Sequence, residues 1–136
     1  MTDYVVKITL VASIILMGYN ISEFVASFKS VSEKIGVFLG MAKANSATNE
    51  ELRRSNCLIS GVLSMVYVLL VYFSDVVLWL VALVFVKLAL TLFLSDKLLV
   101  HVLRDGSLSK KDFLISKYDS LLNALMGLAF ALILVL

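Results

Sequence analysis

The sequence has no proline, a single cysteine and a single histidine among its 136 residues. One cysteine excludes a scaffold held by intramolecular disulfides, and His101 has no second histidine or cysteine nearby to complete a metal site. Because no proline interrupts the chain, we expect long unbroken helices. The sequence also contains no phosphate-binding loop, nucleophile elbow or paired-histidine motif. We therefore expect no resident metal or cofactor and no enzymatic activity.

Charge is also scarce. Charged residues make up 16% of the chain and hydrophobic residues 61%, where globular proteins have about 25% and roughly 45–50%. A soluble domain of this size exposes about a third of its surface, and there is too little polar material to cover it. The composition excludes a soluble enzyme and a disordered regulator, and a net charge of +2 is too small to indicate nucleic acid as a partner. It indicates an integral membrane protein in contact with the lipid bilayer.

Four apolar runs account for this composition: residues 4–22, 57–73, 76–95 and 120–136. A helix that crosses the hydrocarbon core needs about 20 residues, with a range of about 17–25. Between Val76 and Leu94 the third run is apolar almost without interruption, unlike the alternating pattern of a barrel strand. The sequence predicts an all-α, integral membrane four-helix protein whose residues 1–136 form a single transmembrane domain.

The second and third runs are separated only by Ser74 and Asp75. A single helix over both runs would be about 58 Å long, nearly twice the core thickness of about 30 Å, so the chain must turn there. We expect Ser74 or Asp75 to cap the third spanning helix at its N-terminus. The four helices then form two hairpins whose ends extend beyond the membrane on the side of the longer loops.

The longer loops are basic. Together they contain ten lysines and arginines, whereas the N-terminus has Lys7 alone. The positive-inside rule places these loops in the cytoplasm and both chain termini outside, in a multi-pass protein of the plasma membrane or the bacterial inner membrane. Eight of these ten residues are expected to face anionic lipid or a partner: Lys29, Lys34, Lys43, Arg53, Arg54, Arg104, Lys110 and Lys111. The other two are Lys97 and Lys117.

Helix signals continue into these loops. Thr48 and Glu51 have the spacing of a capping box for the second spanning helix. Gly106 is suited to end the third spanning helix and Ser109 to cap the fourth, so residues 96–118 are expected to form a helical hairpin tip. His101 is expected at the surface or interface of this tip.

Residues 29–44 form a further candidate helix. An apolar stripe at helical spacing predicts an amphipathic helix lying at the membrane interface, and the alternative is a face that packs on the other helix ends. The stripe consists of Val31, Ile35, Phe38, Leu39 and Ala42. We expect the chain to bend at Ser30, Ser32 or Gly36.

Lys87 is the one basic residue well inside a predicted span. A charge at the centre of a membrane helix costs at least about 2.5–3.5 kcal/mol and normally has a partner. The residues predicted to cluster with it near one level of the membrane are Asn20, Glu23, Asp119 and Asn123. The functional interpretation is an ion or proton pathway, or a switch. The structural interpretation is an ion pair that sets helix packing, or a lysine that extends toward the headgroups.

Small residues mark two helix faces where close packing is expected. One face has Ser60, Gly61 and Ser64, and the other has Gly127 and Ala131 following Asn123. Such faces pack within one chain or between chains. Cys57, at the start of the second run, is expected to be a buried and inert thiol.

These features favour a non-catalytic membrane subunit that self-assembles or joins a larger membrane complex. The alternative is an oligomeric ion or proton channel, or a transporter component, that uses the cluster around Lys87. An immunity or inhibitor protein acting on a membrane-active partner is a further alternative, based on size and layout alone.

Overall fold

The apolar runs of the sequence all lie in helices. The computed structural model describes residues 2–136, with side chains from Asp3 onward, and this part of the chain is all-helical without a strand. The five helices are α1 (Thr2–Val25), α2 (Phe28–Ala44), α3 (Asn49–Phe73), α4 (Leu78–Asp105) and α5 (Lys110–Val135). Four of them, α1, α3, α4 and α5, are long and apolar enough to cross a membrane, as the sequence predicts.

The predicted helix ends after residue 44 are largely confirmed. The Glu51 amide donates to Thr48 Oγ1 at 3.1 Å and the Thr48 amide donates to Glu51 Oε2 at 3.2 Å, which completes the capping box of α3. The hydroxyl of Ser109 accepts from the Asp112 amide at 3.1 Å and caps α5. Gly106 ends α4 with a left-handed φ of 72°, a conformation that glycine adopts without steric cost.

The turn between α3 and α4 differs from the prediction. Ser74 ends α3 rather than capping α4, because its hydroxyl donates back to the Leu70 carbonyl at 2.7 Å and lies 2.8 Å from Thr9 Oγ1. Asp75 has a φ of 59° and reverses the chain. The N-cap of α4 is Val77, which has no side-chain cap.

The break between α1 and α2 lies before the predicted bend sites. It falls at Ala26 and Ser27, where the Ser27 hydroxyl accepts from the Ser30 amide at 3.2 Å and caps α2. Ser30, Ser32 and Gly36, the three predicted sites, all lie inside a continuous helix. The Ser27 hydroxyl satisfies a free amide at the start of α2. A helix break at Ser27 therefore costs less free energy than a break without such a cap.

Spanning helices that are distant in sequence pack closely. The first spanning helix, α1, lies along the last, α5, while α3 pairs with α4 and also contacts α1. Their shared core consists of Tyr67, Val71, Val81, Val84, Leu88 and Phe130. Buried hydroxyls join α1 to α3, because Ser13 Oγ lies 2.8 Å from the Tyr67 hydroxyl. Most large apolar side chains point outward, where a bilayer would cover them.

The bundle has two distinct ends. We call the end with the segment 26–48 and the turn 106–109 the basic end, and the end with the turn 74–77 and Val135 the terminal end. Cys57 lies on the outer surface of α3 and is exposed, so the expectation of a buried thiol is wrong. It lies at the start of an exposed stretch of α3 that continues through Leu58 and Ile59.

Candidate functional site

A buried polar knot joins α4 to α5 at the level of Lys87. The Lys87 Nζ donates to Asp119 Oδ1 at 2.6 Å, to Asn123 Oδ1 at 2.8 Å and to Thr91 Oγ1 at 2.8 Å. Lys87 and Thr91 are four residues apart on α4, and Asp119 and Asn123 are four apart on α5, so both pairs lie on facing helix surfaces. An ammonium group has three hydrogens, and each has an acceptor here. We refer to these four residues as the polar knot.

The polar knot offsets the cost of burying its charges. Only 18% of the Lys87 side chain and 12% of the Asp119 side chain are exposed, and an unpaired charge at such a position is strongly unfavourable. The Asn123 amide adds a hydrogen bond to Thr91 Oγ1 at 3.2 Å and a longer one to Asp119 Oδ2 at 3.4 Å. A proton or cation arriving at Asp119 would compete with Lys87 for that carboxylate and weaken the link between α4 and α5.

The structure brings three of the five predicted cluster residues into direct contact: Lys87, Asp119 and Asn123. The Nδ2 of Asn20 instead donates to the Leu16 carbonyl on its own helix at 2.7 Å. Glu23 makes no ion pair within residues 2–136. Thr91 is the member that sequence reasoning missed, and its position four residues after Lys87 is the signal that identifies it.

A cleft of about 510 Å³ runs between α1, α4 and α5 from the basic end toward the polar knot. Arg104, Asp105 and Lys111 line it near its mouth, and Thr91, Asp119 and Asn123 line its floor. Asn20 and Glu23 of α1 also line it, so all the predicted cluster residues except Lys87 border one cavity. Asp119 therefore borders the cleft, with the Lys87 ammonium 2.6 Å from its Oδ1.

Carboxylates in this cleft differ in their pairing. Asp105 lies 3.0 Å from the Arg104 Nε, Asp112 lies 3.0 Å from Nδ1 of His101, and Asp119 pairs with Lys87. His101 thus joins α4 to α5 at the hairpin tip and is half-buried.

The two predicted packing faces differ. A Cβ on Gly127 would lie 2.8 Å from the carbonyl oxygen of Ser13, so α5 approaches the backbone of α1 at this point. Ala131, one turn further, is also buried. On α3, a Cβ on Gly61 would meet no atom within 4 Å. Ser60 and Ser64 beside it are half-buried, so the open space on this face is shown at Gly61 itself.

Basic residues of the predicted set lie at the basic end. Three of them form ion pairs: Arg53 with Asp96 at 2.9 Å, Arg54 with Glu50 at 3.3 Å, and Arg104 with Asp105 at 3.0 Å. The others have no ion pair among residues 2–136: Lys29, Lys34, Lys43, Lys110 and Lys111.

On α2 the predicted apolar stripe is mostly half-buried, with Phe38 exposed at 40%. The ring of Phe28, at the start of the same helix, packs edge-on against Phe113 of α5 at 5.4 Å between centroids. Both the interfacial and the packing interpretation of α2 stay predictions.

Among the residues that the structure describes, no three His, Cys, Asp or Glu side chains are grouped as a metal ion would require. The chain matches no protein-family model, and comparison with curated proteins and with solved structures gives no match.

Proposed function

We propose that this protein is a non-catalytic component of membrane transport that takes up a proton or a small cation at Asp119. The supporting observation is the cleft, whose lining includes Asp119 and Asn123 and does not include Lys87. Ionisable residues inside membrane helices are uncommon and mark ion or proton pathways when water reaches them. A cleft that reaches the carboxylate of an intramembrane ion pair has the geometry that such a pathway requires.

Loading would occur from the cytoplasm. The basic end carries ten lysines and arginines against Lys7 near the other end, and the positive-inside rule then places the basic end inside. The cleft mouth belongs to that end, since Arg104, Asp105 and Lys111 line it. In this orientation the protein lies in a plasma membrane or bacterial inner membrane with both termini outside.

Uptake would act through the ion pair. A proton transferred from water to Asp119, or a cation bound there, neutralises the carboxylate that holds the Lys87 ammonium at 2.6 Å. Lys87 then keeps only neutral acceptors, Thr91 and Asn123. Because the polar knot links α4 to α5, loading favours a small separation of these helices, and release of the proton or cation restores the pair.

Ion flux in liposomes tests this proposal. Purified protein is reconstituted with a pH-sensitive dye trapped inside, and proton entry is followed after an imposed gradient, with sodium and potassium tested in parallel. We expect flux above that of empty vesicles and its loss in Asp119→Asn. The matched control is Asp75→Asn, the same substitution in the exposed turn at the terminal end. Flux equal to empty vesicles, or unchanged flux in Asp119→Asn, would contradict the proposal.

A second candidate function is an assembly subunit, alone or within a larger membrane complex. It is favoured by the face of α3 with Ser60, Gly61 and Ser64, where no neighbouring atom lies within 4 Å of a Cβ placed on Gly61. Small residues on a membrane-facing surface allow another helix to approach closely. A transport component can also be such a subunit, so the two functions are compatible.

Native mass spectrometry from membranes tests the assembly function. We expect an oligomer or a bound partner for the unaltered chain and its loss in Gly61→Leu. Gly18→Leu is the control, because Gly18 is also exposed on a spanning helix with open space around it. A monomer in native membranes, or equal loss in both variants, would count against this function.

A further inference from the structure

We propose that the cleft binds the primary ammonium group of a small alkylamine, with Glu23, Asn20 and Ser120 as its ligands. The inference names a ligand class for the same cleft, at residues other than Asp119. Its physiological meaning rests on the proposed function, but binding itself can be measured without any flux. Three observations support it: the unpaired carboxylate in the cleft, the free acceptor atoms at its floor, and the apolar wall above them.

Among the acidic residues of the cleft, one has no ion pair; Lys97 and Lys111, which also line the cleft, likewise have none within residues 2–136. Of the four carboxylates that line the cleft, three have a basic partner within 3.0 Å, whereas Glu23 has none within 4 Å among residues 2–136. The nearby ammonium of Lys117 instead lies 5.3 Å from the centroid of the Phe24 ring. A half-buried carboxylate without a partner is unfavourable in a membrane helix, and a bound cation would remove this cost.

Two largely buried polar residues line the same cleft as Glu23. Asn20, three residues before it on α1, is 5% exposed, and its Nδ2 is already used on the Leu16 carbonyl. The Oδ1 of Asn20 is therefore the atom left to face a ligand. Ser120 of α5 is 8% exposed, lines the cleft, and makes no side-chain hydrogen bond in the part of the chain that the structure describes. In the described part of the chain, Ser32 Oγ is the only buried side-chain polar atom without a hydrogen-bond partner, so the free oxygens of Asn20 and Ser120 are open to the cleft.

These three ligands match the donors of a primary ammonium. Such a group has three N–H donors and one positive charge, and Glu23, Asn20 and Ser120 offer one carboxylate and two neutral oxygens. The polar knot shows the same chemistry, since the Lys87 ammonium is held by Asp119, Asn123 and Thr91 at 2.6–2.8 Å. An anion finds no comparable site at the floor, because Lys87 does not line the cleft.

The remainder of the cleft suits a short hydrocarbon chain. Leu94 and Leu98 of α4 and Ile115 of α5 provide an apolar wall between the floor and the mouth. Its volume of about 510 Å³ lies within the range of about 300–1,000 Å³ that is typical of small-molecule sites, and far exceeds the space of a bare ion. A small amine with an alkyl tail therefore uses both the polar floor and the apolar wall.

Calorimetric titration of the full chain in detergent tests the inference with three probes. Butylammonium has the charge, the donors and the tail; tetramethylammonium has charge without N–H donors; 1-butanol has the tail without charge. We expect butylammonium to bind most tightly and the affinity to fall about tenfold or more in Glu23→Gln, as for the loss of a charge-assisted hydrogen bond. Ser120→Ala should weaken binding by a smaller factor.

Glu33→Gln is the matched control, because Glu33 is exposed on α2 and does not line the cleft. It should leave the affinity unchanged. Equal binding of tetramethylammonium and butylammonium would overturn the inference, as would unchanged affinity in both Glu23→Gln and Ser120→Ala. Butylammonium binding without any ion flux supports the inference and contradicts the proposed function, whereas proton flux without butylammonium binding does the reverse.

Discussion

The backbone of Gly127 on α5 lies against the carbonyl oxygen of Ser13 on α1, so closely that a Cβ at Gly127 would be 2.8 Å from that oxygen. The same Cβ would be 3.0 Å from the amide nitrogen of Met17. Both atoms belong to backbone and neither can rotate away. Glycine at this position therefore allows the first and last spanning helices to pack side by side, which forms one wall of the cleft.

Gly127→Ala is expected to destabilise the bundle. The added methyl group must push α1 and α5 apart, and overpacking of this kind typically costs about 1–3 kcal/mol. Thermal unfolding in detergent measures the change. The control is Gly61→Ala on α3, where a Cβ meets nothing within 4 Å; alanine there should be neutral or stabilising by about 0.4–1 kcal/mol. Equal effects at the two positions would contradict the close approach of α1 and α5.

Removal of Lys87 alone is expected to be more damaging than removal of both charges of its pair. Lys87→Met leaves Asp119 without its cation in a largely buried position, and breaking a buried pair in this way costs about 3–5 kcal/mol. The double variant Lys87→Met/Asp119→Asn should lose less stability than Lys87→Met alone, and its loss should fall short of the sum of the two single variants by about 0.5–3 kcal/mol. Unfolding free energies measured in mixed micelles give this coupling.

The comparison pair for this cycle is Arg53 and Asp96, which lie 2.9 Å apart with 49% and 34% of their side chains exposed. Water screens this pair, so the coupling between Arg53→Met and Asp96→Asn should be much smaller than in the polar knot. If the two cycles give the same coupling, the burial of the Lys87–Asp119 pair contributes nothing to its strength.

Local chemistry explains which parts of this fold are predictable from the sequence. The Thr48 capping box and the Gly106 helix end depend on residues a few positions apart, and both are present. The sequence leaves Glu23 and Asp119 as alternative acidic partners for Lys87, because intramembrane charges are few and each needs a partner; the structure has the pair with Asp119.

Predictions failed where distant residues compete for the same group. The hydroxyl of Ser74 was expected to cap α4, but Leu70 and Thr9 engage it at the end of α3. The adjacency of α1 and α5 also depends on a backbone contact between residues far apart in sequence. The cleft follows from that adjacency, and no local pattern in the sequence indicates it.

Cysteine labelling in a Cys57→Ser background tests the membrane orientation. Ser46→Cys places a thiol in the turn before α3, at the basic end, and Asp75→Cys places one in the turn between α3 and α4, at the terminal end. With a membrane-impermeant maleimide, we expect Asp75→Cys to react in intact cells and Ser46→Cys only after the membrane is opened. The opposite pattern would reverse the orientation and place the cleft mouth outside.

Water access to the cleft can be tested with two neighbouring residues of α5. Ser120 lines the cleft, whereas Leu122, two residues further, points outward with 53% of its surface exposed on the side that a bilayer would cover. Thiols react as thiolates, which form in water and not in hydrocarbon. In a Cys57→Ser background, a small water-soluble methanethiosulfonate should therefore modify Ser120→Cys and leave Leu122→Cys unmodified.

Because the two positions lie at nearly the same depth, about 3 Å apart along the helix axis, a difference in reactivity would report the cleft rather than distance from the surface. Reactivity at Ser120→Cys no greater than at Leu122→Cys would contradict an aqueous path through the cleft to the level of the polar knot.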